Sequence, residues 1–289
     1  HGLGVGDVNG DGRLDILQSG GWFEQPESLD SQSRWRPHLA EFTPYYGGAE
    51  MYAYDVDGDG DNDIITSQAA HDFGLAWYEQ VREGEQVTFK EHLIMGSHPG
   101  DNRYGVLFSE LHSVALADID GDGLKDIVTG KTYYSHHQKS PMWDAGAVVY
   151  WFKLVRGEKG VDFVPYKIDG VSGIGRQLSL ADLNGDGALD VVVGGMVGGS
   201  VLIQKRTLVS KEEYERAQPK PYTGPPPPST TAKALRGPKS KLGDAGAVAG
   251  AIEGESLNAR VSAGRTSVQE MGGFRDDVWS DGKQLFWGG

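Results

Sequence analysis

The stretch MYAYDVDGDGDNDIITS, residues 51–67, decides how the rest of the chain reads. Its centre, Asp55 to Asp63, places carboxylates at loop positions 1, 3, 5 and 9, with glycine at 4 and 6. Alternate side chains of so tight a loop can point inward, and glycine lets the backbone turn sharply. The carbonyl of position 7 offers one more oxygen. A hard cation such as Ca²⁺ takes roughly six to eight oxygens at about 2.3–2.6 Å, which is what this pattern supplies. The flanks MYAY and DIITS are rich in aromatic and β-branched residues and predict a strand on each side.

The same nonapeptide recurs three more times: DVNGDGRLD at Asp7–Asp15, DIDGDGLKD at Asp118–Asp126 and DLNGDGALD at Asp182–Asp190. The candidate Ca²⁺ ligands are therefore Asp7, Asn9, Asp11 and Asp15; Asp55, Asp57, Asp59 and Asp63; Asp118, Asp120, Asp122 and Asp126; and Asp182, Asn184, Asp186 and Asp190. Four copies in register imply about four Ca²⁺ sites. An EF-hand needs a Glu at position 12 and a helix on each side. Position 12 is instead Gln18, Thr66, Thr129 and Val193, and the flanks are strand-like. A spacing of roughly 50–65 residues suits propeller blades.

Each repeat has one grammar. A first strand enters the Asp loop and a β-rich second strand leaves it (LDILQ, NDIITS, KDIVTG, LDVVVGG). An aromatic third strand follows, with Trp22, Trp77 and Trp151 in three copies, and an alternating fourth strand closes the unit. Four short strands per repeat is the pattern of a blade. The fourth unit lacks its last strand, and blades are expected upstream of His1. The chain is thus expected to be all-β: a calcium-binding β-propeller over residues 1–206, with four blade repeats present. A Pro-rich flexible linker should span 207–246, and the start of a second, sandwich-like β domain 247–289.

The sequence carries a net charge of −14, and the four loops alone hold fifteen Asp. Four bound Ca²⁺ would bring the charge to about −6, so most of the acidity is metal-site chemistry. Such a surface argues against nucleic acid, which requires basic patches. There is no Cys and hence no disulfide or thiolate metal site. No apolar run reaches the length of a membrane span. Several calcium loops suit a secreted, periplasmic or cell-surface location.

Six residues before each Asp loop stand His1, Ala49 (beside Glu50), His112 and Arg176. In a propeller the first strands line the channel, so these positions converge on one end of it. Glu110 and His112 fall on the same face of an extended chain. His71 and Asp72, Lys131, and His136 and His137 follow second strands. The ligand-pocket candidates are therefore His1, Glu50, His71, Glu110, His112, Lys131 and Arg176. Neutral imidazoles with a carboxylate suit Zn²⁺, and a His or Glu there can act as a general base. The same residues also read as solvated polar groups lining a wet channel. The three Trp are expected between blades, and His38 and His92 in a structural role.

The D-x-[DN]-G-D-G-x-x-D repeats resemble the FG-GAP/VCBS repeat family, which includes integrin α-subunit propellers and many secreted bacterial proteins. HGLGVGDVNGDGRLDIL, HDFGLAWYEQ, SELHSVALADIDGDG and GIGRQLSLADLNGDG look like a planctomycete-type bacterial subgroup. The segment ESLNARVSAGRTSVQEMGGF…WSDGKQLFWGG resembles the start of a following β-sandwich. More distantly, the repeats are similar to the propeller of fungal aldos-2-ulose dehydratase, which implies a zinc-dependent sugar-lyase site. The resemblance implies a secreted module binding carbohydrate or an extracellular protein, with a metal-dependent lyase or dehydratase as the alternative.

Without a cation, three or four carboxylates repel one another within each loop. A site that binds only the folded state adds about 2.7 kcal/mol at a hundredfold excess of ligand over Kd. EDTA should therefore lower the melting temperature by many degrees, and Asp59→Ala should weaken one site. An unchanged melting curve in EDTA would sink the calcium assignment.

Overall fold

The computed structural model describes residues 1–227, apart from 31, 44–46, 85, 135–137 and 196–197, together with two short strands at 265–270 and 283–288. The first body is an all-β, four-bladed propeller. Blade 1 is a meander of β1 (Leu3–Gly6), β2 (Asp15–Gln18), β3 (Gly21–Glu24) and β4 (Arg36–Leu39). Blade 2 is β5 (Tyr52–Tyr54), β6 (Asp63–Ser67), β7 (Leu75–Glu83) and β8 (Gln86–Met95). Blade 3 is β9 (Val114–Ala117), β10 (Asp126–Lys131), β11 (Val148–Gly157) and β12 (Gly160–Asp169). Blade 4 has three strands, β13 (Gln177–Ala181), β14 (Asp190–Gly195) and β15 (Gly198–Leu202). All pairings within the blades are antiparallel, and every Asp loop joins a first strand to a second.

The second strands show why the blades stack. Every residue of β6 and of β10 is buried. These strands are covered on both faces, so they run as continuous apolar or small-residue stretches rather than alternating. Three apolar cores lie between successive blades. Leu17, Trp22, Phe42, Met51 and Ile64 fill the first, and Ile65, Trp77, Leu111, Ile127 and Phe152 belong to the second. Ile119, Val128, Val149, Val191 and Val193 form the third. Burial of this apolar area is the main source of stability.

First strands of neighbouring blades lie side by side, β1 against β5 and β9 against β13. Gly4 makes a parallel bridge with Met51, and a Cβ on Gly4 would stand 2.0 Å from the Met51 carbonyl oxygen. Here glycine is required by close backbone approach, not by its dihedral angles.

A polar device also joins the blades. Arg82 of blade 2 donates to the Asn9 carbonyl at 2.9 Å, and Arg206 after blade 4 donates to the Ile119 carbonyl at 3.3 Å. Arg156 of blade 3 donates through Nε to the Val56 carbonyl at 2.9 Å and through its terminal nitrogen to Asp55. Each arginine reaches the Asp loop of the preceding blade. Each stands five residues after the aromatic-strand position held by Trp77, Trp151 or Val201. The blade 1 equivalent is Glu27.

Beyond blade 4 the chain forms α1 (Lys211–Ala217), capped by Ser210 and Glu213 in a reciprocal capping box. The segment that follows returns to blade 3. Tyr166 donates to the Gln218 side chain, and the Tyr222 amide donates to the Arg103 carbonyl at 2.7 Å. Residues 207–227 of the expected flexible linker are thus in part docked, and 228–246 lie outside the described residues. The second unit, Ala247–Gly289, contains β16 (Arg265–Glu270) paired antiparallel with β17 (Lys283–Gly288). The remainder of the expected sandwich falls outside the described residues.

Replacing Arg156 by Met keeps the apolar stem but removes hydrogen bonds to two loop carbonyls. Such charge-assisted bonds contribute about 1.5–3 kcal/mol each at most. Arg156→Met should lower the urea midpoint by the equivalent of about 1–3 kcal/mol, and an unchanged midpoint would show that the clasp contributes nothing.

Candidate metal centre and ligand site

The four Asp loops share one construction. The residue at position 9 is buried in all of them: Asp15, Asp63, Asp126 and Asp190 are at most 1% exposed. Each accepts two backbone amides. One belongs to loop position 2: Val8, Val56, Ile119 or Leu183. The other belongs to the end of the third strand or the residues just after it: Gln25, Gln80, Leu154 or Gln204. The eight distances run from 2.8 to 3.1 Å. This carboxylate therefore latches the loop to the blade. Each of its oxygens retains a second lone pair for a cation.

Position 1 performs a related task inside the loop. Asp7, Asp118 and Asp182 each accept amides from loop positions 4, 5 and 6. Asp55 accepts the Gly58 amide. Glycine at positions 4 and 6 adopts positive φ in every copy, for example 89° at Gly58 and 97° at Gly60. Ligand atoms of Asp55, Asp57 and Asp63 lie within 4.8 Å of one another, as do those of Asp118, Asp120 and Asp122. The donor set is all oxygen, which fits a hard cation.

The electrostatics of the loops differ. Burial pushes the Asp63 carboxyl up to about 7 and that of Asp126 to about 6, and it also raises Asp15. Asp57 is raised first by burial and further by Asp59, Asp55 and Glu79. Asp122 is lowered, chiefly by its hydrogen bond from Lys153. Lys153 donates to both Asp120 and Asp122. Burial alone would lower the Lys153 ammonium, but those two carboxylates raise it above the ordinary lysine range.

A second cluster forms where first strands begin. His71, in the loop after β6, and Glu110 and His112, just before β9, present ligand atoms within 4.8 Å of one another. The ring centroids of His71 and His112 are 4.7 Å apart, and His1 stands 5.5 and 5.9 Å from them. Glu110 is fully buried, and neither carboxylate oxygen has a hydrogen-bond partner. Nδ1 of His71 and Nδ1 of His112 each lie 3.7 Å from the same Glu110 oxygen. Glu110 also holds φ at +66°, a left-handed conformation that costs a non-glycine residue about 1–3 kcal/mol. Its backbone is fixed by a bond from its amide to the Asp72 carbonyl and by one from the His112 amide to its own carbonyl. An imidazole pair and a carboxylate form a three-ligand set of the kind that leaves a fourth position open on zinc.

The remaining candidates are placed differently. Lys131 is buried, and its Nζ donates to the Thr132 and Trp143 carbonyls at 3.0 and 3.3 Å. Burial lowers its ammonium, while the negative charges of Glu110 and Asp144 oppose that shift. Glu50 accepts the Val114 amide at 2.7 Å and the Ser113 hydroxyl, so its carboxylate ties blade 2 to the entry of β9. Arg176 is exposed and makes no hydrogen bond or ion pair among the described residues. His136 and His137 lie outside the described residues. The ring expected from His, Glu and Arg therefore gathers only His1, His71, Glu110 and His112, with Lys131 behind them.

The aromatic strands contribute packing. Trp22 stacks on His38 with centroids 4.0 Å apart, Trp77 on His92 at 4.3 Å, and Trp151 on Tyr166 at 4.8 Å. His38 and His92 in turn contact Glu24 and Glu79. The sequence reading missed these Glu partners, the Lys153 contact and the arginine clasp. Each is visible as a constant offset from the tryptophan position: two residues for Glu24, Glu79 and Lys153, and five for the arginines.

The loop positions separate into two kinds under mutation. Asp63→Asn keeps one acceptor oxygen and leaves the other of its two buried amide donors facing an NH₂ group, at about 1–3 kcal/mol for the unsatisfied amide. Its destabilisation should persist in EDTA. That of Asp59→Ala should vanish there, because Asp59 is exposed and bonds only within the loop. Melting curves of both variants with and without calcium check this, and equal behaviour would refute the distinction.

No protein-family model matches the chain. Integrin alpha-PS2 of Drosophila melanogaster is 25% identical over 223 residues, which covers 66% of this chain and 16% of that protein. The chain thus spans less than a fifth of the curated relative's length. This similarity and the four-bladed fold together support the FG-GAP-like repeat. Among the described residues no helix is long and apolar enough to cross a membrane.

Proposed function

We propose that this chain is a calcium-stabilised propeller of secreted or cell-surface type that acts as a binding module. In this reading its ligand is engaged at a transition-metal centre held by His71, Glu110 and His112. The observation that carries the proposal is Glu110: a fully buried carboxylate, in a left-handed conformation, with no hydrogen bond to either oxygen and two imidazoles near the same oxygen. An uncompensated buried carboxylate is costly, and strain of this kind persists only where the surroundings impose it. A divalent ion shared with two imidazoles would offset both costs. Zn²⁺ suits the donor set, and its open position would accept a hydroxyl or carboxylate of a carbohydrate or of an extracellular protein. The integrin similarity supports a module of the binding class.

One observation favours a second reading, a metal-dependent sugar lyase or dehydratase. Lys131 is buried at the end of β10, close enough to Glu110 for their charges to interact, and burial favours its neutral amine, which would be a base beside a metal-polarised carbonyl. Removal of a proton beside that carbonyl, with loss of the neighbouring hydroxyl as water, leaves a conjugated enone. Bound metal would polarise the carbonyl; Lys131 would accept the proton and return it to the departing hydroxyl, which leaves as water.

Protein stripped with EDTA and returned to calcium should take up one Zn²⁺ per chain. Glu110→Gln and His112→Ala should abolish that uptake and leave the calcium-dependent rise in melting temperature intact. Zinc uptake unaffected by both substitutions would overturn the site. Enone absorbance from an oxidised sugar, lost in Lys131→Met, would select the lyase, and its absence in the zinc-loaded protein would leave the binding module.

A further inference from the structure

We propose that Lys153 is the resident cation of the third Asp loop, so that this loop is satisfied without calcium and binds it most weakly of the four. The inference rests on the calcium reading of the other loops. Lys153 projects from β11, and its Nζ hydrogen bonds Asp120 and Asp122, positions 3 and 5 of DIDGDGLKD. These are two of the carboxylates that a calcium ion would need. All three side chains are only partly exposed, at 21, 26 and 34%.

Comparison between blades shows the contact to be particular to blade 3. The residue two positions after the strand-three tryptophan is Glu24 in blade 1 and Glu79 in blade 2. In blade 4 the same offset from Val201 gives Ile203. Glu24 and Glu79 contact His38 and His92, which stack on Trp22 and Trp77. In blade 3 the whole rung has changed. Tyr166 pairs with and stacks on Trp151, and its hydroxyl turns to Gln218. A glutamate at 153 would have no imidazole partner and would face the loop's carboxylates, as Glu79 faces Asp57. Lysine there inverts the sign. Blade 2 adds a negative charge beside its loop, and blade 3 adds a tethered positive one.

Calcium can use Asp120 and Asp122 only by displacing an ammonium that the fold holds permanently at the site. A tethered competitor acts at high effective concentration. Once displaced, it remains nearby as a like charge, so its penalty persists in the bound state. The remaining three loops have no lysine bonded to their position 3 or 5 side chains among the described residues. In loop 1 Arg13 bonds Asp11 at position 5 alone.

Calorimetric titration of the EDTA-treated full chain with CaCl₂ tests this. Wild type should fill three loops and then a fourth about ten- to a hundredfold more weakly. Lys153→Met should bring the fourth into the tight class. In EDTA, Lys153→Met should melt below wild type, because it leaves two carboxylates facing each other, and saturating calcium should erase the difference. A deficit that calcium does not repair would reduce Lys153 to packing and overturn the proposal, as would four equal sites in wild type. Glu79 also accepts from Lys90, its cross-strand partner, at 2.9 Å, where blade 3 has Val164 opposite Lys153; the triple change Glu79→Lys, Lys90→Val and His92→Tyr therefore installs the blade 3 rung in blade 2 and should weaken the second loop by a similar factor. No loss there would also count against the proposal. Absence of calcium binding by every variant would overturn the calcium reading itself. The EDTA melts would then decide alone whether Lys153 neutralises the loop, with an unchanged melt refuting it.

Discussion

The carboxylate at position 9 of each Asp loop is the contact on which the blades depend. It sits at the start of a second strand, where the sheet is covered on both faces, and it accepts one amide from its own loop and one from the end of the third-strand segment. Loss of that acceptor would strand two backbone donors in a buried place. The same group lies beside the loop oxygens available to a cation. Stability of the blade and geometry of the ion site are therefore joined in one side chain, which explains why burial raises Asp63 and Asp126 while their amide partners resist the shift. A bound cation would stabilise the charged form.

This latch also orders the outer parts of each blade. Because the third strand is fixed to the loop, residues further along it stand at constant positions over the previous blade. Arg82, Arg156 and Arg206 use that constancy to grip loop carbonyls one blade back. The apolar cores between blades supply most of the free energy. The arginines act on register, since a carbonyl bonded to a guanidinium cannot shift by one residue without losing its partner.

The fold was legible in the sequence because a propeller repeats its chemistry: four Asp loops in phase locate four blades, and no alternating fourth-strand segment follows SVLIQKR, just as blade 4 has three strands among the described residues. The interblade role of Trp22 and Trp77 was legible for the same reason. What single side chains do across blades was less so. Glu50 shares its neighbourhood with the His positions, yet its carboxylate is taken by the Val114 amide, a partner 64 residues away. Arg176 stands at the position equivalent to His1 and His112, but pairs with no carboxylate among the described residues. Periodicity fixes where a residue stands and leaves open which long loop reaches it. His71 joins the cluster through the loop after β6, and no spacing rule in the sequence states that.

Chain direction separates the two proposed metal sites. His112 precedes β9 and Asp118 follows it, six residues or about 20 Å of extended chain away. Oxygen-only loops lie at the exit of each first strand, and the nitrogen-bearing cluster lies at the entry of two of them. A hard cation and a borderline one would thus be sorted by donor type as well as by position. Each set can be emptied or filled with little direct effect on the other's ligands. What they share is the short first strand, whose close packing, Gly4 against Met51, leaves little room for either end to move alone.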